Sequence, residues 1–203
     1  MDNLFENIFS IVDIDLINSK KEFDEYILYL TNHPTPLREA AAYKLEELYN
    51  DCFLDKNVLE IILNAIIDIN PNVSRCVCKT IEKNKKLQEM IEPEIIAKIE
   101  KLLLDITQEE KTEKNKSHSK NKKIFSLYWL LEALFYCISE KYIKNVLEIL
   151  HSALNFSDYT IREKAAQILT KLPHKPVELI QKIKDDPNFY VNFYINLYKD
   201  ECL

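Results

Sequence analysis

Glycine is absent from all 203 residues of this chain. An average protein carries about 7% glycine, so about fourteen glycines would be expected here. Because glycine readily supplies the positive φ of tight hairpin turns, its absence disfavours sheet-rich folds. It also excludes the dinucleotide fingerprint, the phosphate-binding loop and the nucleophile elbow, since each needs glycine where the backbone passes closely. The seventeen asparagines are natural substitutes, because asparagine caps helix starts and tolerates the left-handed conformation at helix ends.

Motifs for metal or redox chemistry are also missing. The five cysteines form no CxxC pair, and the four histidines form no HExxH pattern. Cys76 and Cys78 would lie on different sides of a helix, so they cannot grip a metal from one turn. We therefore expect structural thiols in a reducing compartment, no metal, no cofactor and no enzymatic activity. The cysteines are Cys52, Cys76, Cys78, Cys137 and Cys202.

The chain shows neither a basic leader nor a long apolar run. Its first fifteen residues carry four acids and no lysine or arginine, which does not fit a signal peptide. No apolar run reaches the roughly 18 residues of a membrane span. Apolar residues make up 47% and charged residues 30%, a balance typical of a globular protein. We expect a cytoplasmic protein with no membrane contact and a single domain over residues 1–203.

The apolar residues that are present recur at helical spacing, which predicts an all-α protein. Pro36 and Pro93 each suit the first position of a helix, where the missing N–H costs nothing. The helix predicted from residue 124 is apolar almost all round, so we expect it to be the most enclosed. The predicted helices span residues 1–18, 20–31, 36–50, 57–69, 72–84, 93–106, 124–139, 141–154, 159–172, 176–183 and 187–199.

These helices pair at intervals of about 36 residues, which is the signature of an α-solenoid. One stretch, Leu37-Arg38-Glu39-Ala40-Ala41-Ala42, is echoed by Ile161-Arg162-Glu163-Lys164-Ala165-Ala166. Both resemble the second helix of HEAT repeats, and the resemblance covers most of residues 20–199. It implies a right-handed α-α superhelix of about five helix pairs. It also implies that Arg38 and Arg162 are structural, because that arginine usually joins a ladder of polar contacts between HEAT repeats.

The stretch 107–123 contains no apolar residue, so we predict a flexible loop inserted between the helices of the third pair. An alternative is an electrostatic arm for an anionic ligand such as nucleic acid. The arm has no arginine and no aromatic residue, so base readout or stacking has no supporting residue. Its six lysines are Lys111, Lys114, Lys116, Lys120, Lys122 and Lys123.

In a solenoid, the second helices of successive pairs line a concave ridge. The positions opposite the core stripe are expected to contact a protein or peptide partner, since tyrosine and tryptophan are favoured binding anchors. The alternative is that Trp129 and Tyr136 merely complete the core. The predicted partner-binding residues are Tyr43, Arg75, Lys79, Trp129, Tyr136 and Gln167.

The last predicted helix carries Tyr190, Tyr194 and Tyr198 four residues apart. A terminal repeat normally has a polar outer face, so this stripe is unusual. It is either the wet edge of the core or a docking surface through which two copies associate.

The favoured hypothesis is a non-enzymatic HEAT-repeat scaffold that binds a protein or peptide along its concave ridge. Some HEAT-like solenoids are DNA glycosylases, so the resemblance also permits a nucleic-acid-directed protein that uses the Lys-rich stretch. Residues 1–60 carry a net charge of −8 and would repel phosphate, and Glu132 is predicted to lie toward the core. A HEAT-like bilin lyase is a third reading that rests on fold analogy alone.

Overall fold

The computed structural model describes residues 18–111 and 117–197, and within these ranges it contains ten α-helices and no strand. The all-α prediction is confirmed. The helix predicted over residues 1–18 lies almost wholly outside the described residues. No helix in these two ranges is both long and apolar enough to cross a bilayer.

The helices follow the predicted order with shifted ends. They are α1 (18–29), α2 (Thr35–Leu48), α3 (Lys56–Ala65), α4 (Pro71–Lys83), α5 (Lys85–Lys111), α6 (Ser117–Cys137), α7 (Ile143–Ala153), α8 (Tyr159–Leu169), α9 (Val177–Lys184) and α10 (Phe189–Phe193). Single 3-10 turns cover Asp51–Phe53, Glu140–Tyr142 and Tyr194–Leu197.

The chain divides into two compact units, Met1–Lys83 and Asn84–Leu203. In the first unit, α4 packs against both α2 and α3. Glu39 of α2 accepts a hydrogen bond from Asn72, and Glu46, two turns later, pairs with Lys83 at the far end of α4. Because the contacts advance in the same direction along both helices, α2 and α4 run parallel. The single domain predicted over residues 1–203 stays a prediction.

In the second unit, each helix contacts the next one or the next but one. Helix α5 packs against α6 and α7, α8 packs against α6, α7 and α10, and α10 also contacts α9. At the end of α7, His151 lies 2.9 Å from Glu178 of α9. Lys182, one turn further along α9, donates to Asn155 at 3.0 Å. These contacts link α5 to α7 and α7 to α9, and they link α6 to α8 and α8 to α10.

The two echoed stretches are buried in the same way. Ala41 and Ala42 of α2 and Ala165 and Ala166 of α8 are fully buried, because paired small side chains let a neighbouring helix approach closely. Leu37 of α2, by contrast, is exposed, whereas its counterpart Ile161 of α8 is fully buried.

Helix α5 begins at Lys85 and runs through Pro93, so the prediction that Pro93 opens this helix is wrong. Leu87, Ile91 and Ile95 form a buried stripe at four-residue spacing that crosses the proline. A proline inside a helix costs about 3 kcal/mol. Burial of Leu87 and Ile91, the two members of the stripe that precede Pro93, contributes about 1.5–3 kcal/mol each, which offsets the cost of the proline.

The predicted flexible loop over residues 107–123 is also wrong in its limits. Helix α5 continues to Lys111 and α6 starts at Ser117, while residues 112–116 lie outside the described ranges. Glutamine, glutamate and lysine are good helix formers, so a helix already held by its buried turns can extend through polar residues. A lack of apolar residues therefore did not mean a lack of helix.

A buried carboxylate joins the distant ends of α5 and α6. Glu92 is 1% exposed and accepts hydrogen bonds from the Ser139 backbone N–H at 2.8 Å and from its Oγ at 2.6 Å. Burial, and to a lesser extent the nearby Glu92, raises the pKa of the Cys137 thiol. Glu92 is near the start of α5, and Ser139 follows the end of α6. The two helices therefore form an antiparallel hairpin, and this contact joins the two ends that lie farthest from the connection between them.

Candidate partner-binding surfaces

Arg38 ties the start of α2 to the turn that precedes α4. Its Nε and Nη2 bind the two carboxylate oxygens of Asp68 at 2.7 and 3.0 Å. Nη1 donates to the His33 carbonyl at 2.6 Å. Asp68 also accepts from the Asn70 backbone N–H at 2.8 Å, just before α4 begins. This charge-assisted pair positions two successive second helices against each other.

Arg162 makes the same joint in the second unit. Its Nε and Nη2 bind Asp186 at 2.7 and 3.2 Å, and Nη1 donates to the carbonyls of Phe156 and Ser157. Asp186 in turn accepts from the Asn188 backbone N–H at 2.9 Å, before α10. Burial opposes ionisation of Asp186, but its hydrogen bonds from Arg162 and Asn188 outweigh that effect and lower its pKa.

Both joints agree with the structural role expected for these arginines. Sequence reasoning did not identify their aspartate partners. The signal was present, since each aspartate lies two residues before an asparagine at the start of a second helix, in Asp68-Ile69-Asn70 and Asp186-Pro187-Asn188.

In the first unit, three of the predicted partner-binding residues lie on one exposed surface, which we call the α2–α4 face. It consists of Glu39, Tyr43 and Glu46 on α2 and Arg75, Cys76 and Lys79 on α4. The residues on each helix recur at three- or four-residue spacing, so they share one side. The contacts of Glu39 with Asn72 and of Glu46 with Lys83 bracket the face at its two ends. Tyr43, between them, is 71% exposed.

The charges of this face surround the thiol of Cys76. Burial raises the pKa of Cys76, the cations Lys79 and Arg75 lower it, and Glu46 and Glu39 raise it. The net effect is a raised pKa of the Cys76 thiol, with burial as the main cause. Among the residues that the structure describes, neither Arg75 nor Lys79 forms an ion pair, and both are exposed. The face offers two accessible cations beside an accessible aromatic ring.

In the second unit, the corresponding surface is filled by a cluster that we call the α6–α8 cluster. Lys164 of α8 pairs with Glu132 of α6, donates to Gln167 Oε1 at 2.9 Å and lies 5.0 Å from the ring centre of Tyr128. The Tyr136 hydroxyl donates to Glu132 at 3.2 Å. Although burial lowers the pKa of Lys164, its interactions with Glu132 outweigh this and raise it. The charges of Lys164 and Glu132 are thus paired with each other and hydrogen-bonded by other residues of the cluster.

The predicted residues Tyr136 and Gln167 belong to this cluster, but its central residues were missed. Glu132 was expected to lie toward the core, and Lys164 was not considered. The spacing could have pointed to Lys164, because it lies three residues before Gln167 and therefore on the same side of α8.

Trp129 is 8% exposed, so its predicted role as an exposed anchor must be corrected. It contacts Phe125 and Tyr128 edge-on, with ring centres 6.3 and 5.4 Å away. The indole Nε1 is buried and has no hydrogen-bond partner among the described residues. Because α6 is apolar almost all round, the side that carries Trp129 is covered as well, which fits the alternative that this residue completes the core.

The C-terminal tyrosines fall partly on a chain of aromatic rings. Helix α10 ends at Phe193, and a 3-10 turn continues it, in place of the single helix predicted over residues 187–199. Tyr190 and Tyr194 take part in the ring contacts of this region, whereas Tyr198 lies outside the described residues. We call the group formed by Tyr159, Phe189, Tyr190, Phe193 and Tyr194 the aromatic surface.

The six lysines of the predicted anionic-ligand segment do not form one loop. Lys111 is the last residue of α5, and Lys114 and Lys116 lie outside the described residues. The other three, Lys120, Lys122 and Lys123, lie in the first two turns of α6. Their binding of an anion stays a prediction.

An open groove of about 660 Å³ runs beside the joint of Arg162 and Asp186. Its other polar side chains are also engaged, since Glu178 meets His151 and Gln181 binds Asp185. The groove therefore offers few free hydrogen-bonding groups to a ligand. Within the described part of the chain, no group of histidine, cysteine, aspartate and glutamate side chains could hold a metal ion.

Comparison with protein-family models gives no match to this chain. Comparison with curated proteins gives no significant match either. Its function must therefore be argued from the chemistry of these surfaces.

Proposed function

We propose that the chain is a non-enzymatic, cytoplasmic scaffold of HEAT-like helix pairs that binds a protein or peptide partner through the α2–α4 face. Two joints support the repeat assignment. Arg38 and Arg162 hold the position at which HEAT arginines join polar contacts between repeats, and each binds the aspartate that precedes the next second helix. The succession of contacts from α6 to α8 and from α8 to α10 in the second unit fits the same assignment.

The accessible side chains of the α2–α4 face carry the binding proposal. Tyr43 can pack on an apolar side chain or a peptide plane of the partner, while Arg75 and Lys79 can pair with carboxylates. An exposed ion pair contributes at most about 1 kcal/mol, whereas a buried aromatic anchor contributes about 2 kcal/mol or more. Tyr43 is therefore the residue on which affinity should depend most, and Arg75 and Lys79 should pair locally with carboxylates of the partner although residues 1–60 carry a net charge of −8.

A photo-crosslinking experiment tests this placement. A benzophenone amino acid is introduced at Tyr43 in one sample and at Leu28, an exposed apolar position of the same unit, in the other. After irradiation in nuclease-treated lysate of the source cells, adducts are identified by mass spectrometry. We expect one protein to be crosslinked from position 43 and not from position 28. Equal adducts from both positions, or none from position 43, would contradict the proposal.

Affinity measurements with the purified crosslinked protein then separate the roles of the residues. We expect Tyr43→Ala to weaken binding at least tenfold and Lys79→Glu to weaken it several-fold, since charge reversal opposes an acidic partner. Lys56→Glu, a charge reversal at an exposed position of α3, is the matched control and should leave affinity unchanged. If the three variants bind alike, the α2–α4 face is not the site.

A further inference from the structure

We propose that the aromatic surface of the second unit is the interface of a weak homodimer, in which it packs against the same surface of a second copy. Its rings form a continuous chain. Tyr159 stacks on Tyr190 with centres 6.3 Å apart and planes inclined by 26°. Phe189 contacts both Tyr190 and Phe193, at 5.8 and 6.4 Å. Phe193 contacts Tyr194 at 5.9 Å.

Four of these rings are open to solvent. The exposed fractions are 42% for Tyr159, 73% for Phe189, 57% for Tyr190 and 50% for Phe193. The largest apolar patch on a typical monomer covers about 300–600 Å² and is often a functional site.

The absence of charge in α10 and its 3-10 turn favours a second copy over a charged partner. In a twofold interface the same surface of both copies meets, so each residue lies close to the same residue, or to one of its neighbours, on the other copy. A patch with charge of one sign would therefore repel its counterpart. Residues 187–197 contain no charged side chain, although 30% of the whole chain is charged and its net charge is −6. Tyrosine hydroxyls and the exposed Asn196 amide both donate and accept hydrogen bonds, so identical groups can pair with one another.

The ring area sets the expected strength. A buried aromatic side chain contributes about 200 Å², so four rings that are about half exposed present about 400 Å² per copy. A stable interface buries about 800 Å² per partner, about twice that area. The surrounding side chains must supply the remainder, and we expect a reversible dimer with a dissociation constant on the order of micromolar.

Analytical ultracentrifugation of the full chain tests the dimer directly. Sedimentation is measured across a protein concentration series from about 1 to about 200 µM, a range that brackets a micromolar dissociation constant. A reducing agent is present throughout, so that cysteine oxidation cannot link two copies. We expect the mean mass to rise reversibly from that of the monomer toward that of the dimer. A monomer over the whole series would overturn the proposal.

Two single variants locate the interface. Phe189→Glu and Phe193→Glu each place an acid opposite the same acid of the second copy, so each should weaken dimerisation at least tenfold. Leu104→Glu, at an exposed apolar position of α5 in the same unit, is the control and should leave the dissociation constant unchanged. A dimer that survives both phenylalanine variants, or that is lost equally in the control, would place the interface elsewhere.

Circular dichroism and thermal unfolding of each variant are recorded in parallel. Because Phe189 and Phe193 are at least half exposed, native spectra are expected for both. Should one variant fail to fold, the other still decides between the two outcomes. The test does not depend on the α2–α4 face, so its result leaves the proposed function unaffected.

Discussion

The α2–α4 face of the first unit is open, whereas the α6–α8 cluster of the second unit is closed. Both surfaces are formed by two neighbouring helices, and each carries a lysine. Lys79 of α4 is exposed, and so is Tyr43 of α2. Lys164 of α8 faces Glu132 of α6 and is buried by it. Whether a lysine of these helices supports the fold or remains available to a partner depends on the side chain that the neighbouring helix places opposite it.

The difference predicts that substitutions act on stability in the second unit and on binding in the first. The joints made by Arg38 and Arg162 are common to both units, so they should matter equally in each. Only the surface beside the joint differs.

The largest effect is expected from Glu132→Ala. The lysine and carboxylate side chains are only 12% and 17% exposed, so the substitution leaves a largely buried ammonium without its partner. We expect the free energy of unfolding to fall by about 3 kcal/mol. Urea unfolding followed by Trp129 fluorescence measures this, because the single tryptophan of the chain reports the second unit alone.

The matched substitution in the first unit is Glu46→Ala, whose partner Lys83 is exposed. Its expected cost is no more than about 1 kcal/mol, measured by circular dichroism and hydrogen exchange of α2 and α4. Similar losses for the two variants would remove the distinction between an open and a closed surface.

An intermediate effect is expected at the joints. Asp68→Asn and Asp186→Asn each replace a charge-assisted bidentate contact by a neutral one, which should lower the free energy of unfolding by about 2 kcal/mol at pH 7. If the two substitutions lowered the free energy of unfolding by very different amounts, the Arg38–Asp68 and Arg162–Asp186 contacts would not stabilise their units in the same way. Urea unfolding of each variant, with the probe of its own unit, provides the comparison.

The Asp186 joint should also depend on pH. Its pKa in the folded protein is lowered below the value of about 3.9 expected for the unfolded chain. The stabilisation is therefore complete above that value and is lost as the pH falls through the folded pKa. The difference in unfolding free energy between wild type and Asp186→Asn should narrow below about pH 4. A difference that stays constant from pH 7 to pH 3 would exclude an ionised Asp186 as its source.

The smallest effect on stability is expected at the open surface. Tyr43→Ala and Lys79→Glu remove or reverse exposed side chains, so each should change the free energy of unfolding by less than about 0.5 kcal/mol. Lys164→Glu, a charge reversal at the largely buried lysine of the α6–α8 cluster, should cost several times more because it places two carboxylates together. Parallel thermal melts of these variants would detect a failure of this ordering.

Much of the helical order was predictable, because burial repeats with the helical period. The paired alanines of α2 and α8 identified two second helices and their buried sides. Pro93 and the polar stretch at 107–123 misled the prediction for one reason. The proline was interpreted as a helix start and the polar stretch as a loop, each from the local sequence alone. Helix α5 is instead stabilised by buried residues such as Leu87 and Ile91, because tertiary packing overrides local preference.

The candidate surfaces were only half predictable. Periodicity placed Tyr43, Arg75 and Lys79 on the exposed sides of their helices, where the structure has them, since side-chain direction follows from position in a helix. It could not show that Trp129 is covered or that Glu132 meets Lys164, because the two members of that ion pair are 32 residues apart in sequence. Such contacts depend on how helices pack, and helical spacing carries no information about it.

The buried contact between Glu92 and Ser139 has a consequence for the order of folding. It joins residues 47 positions apart, a separation whose closure from an open chain costs about 3.4 kcal/mol of entropy. The hairpin of α5 and α6 can zip from the end where the two helices are adjacent in sequence, so this contact should form last. Glu92→Gln is therefore expected to accelerate unfolding while leaving the refolding rate nearly unchanged, which stopped-flow measurements with Trp129 fluorescence can resolve. The Glu92 carboxylate would then prolong the lifetime of the native state by slowing unfolding, without taking part in the folding nucleus.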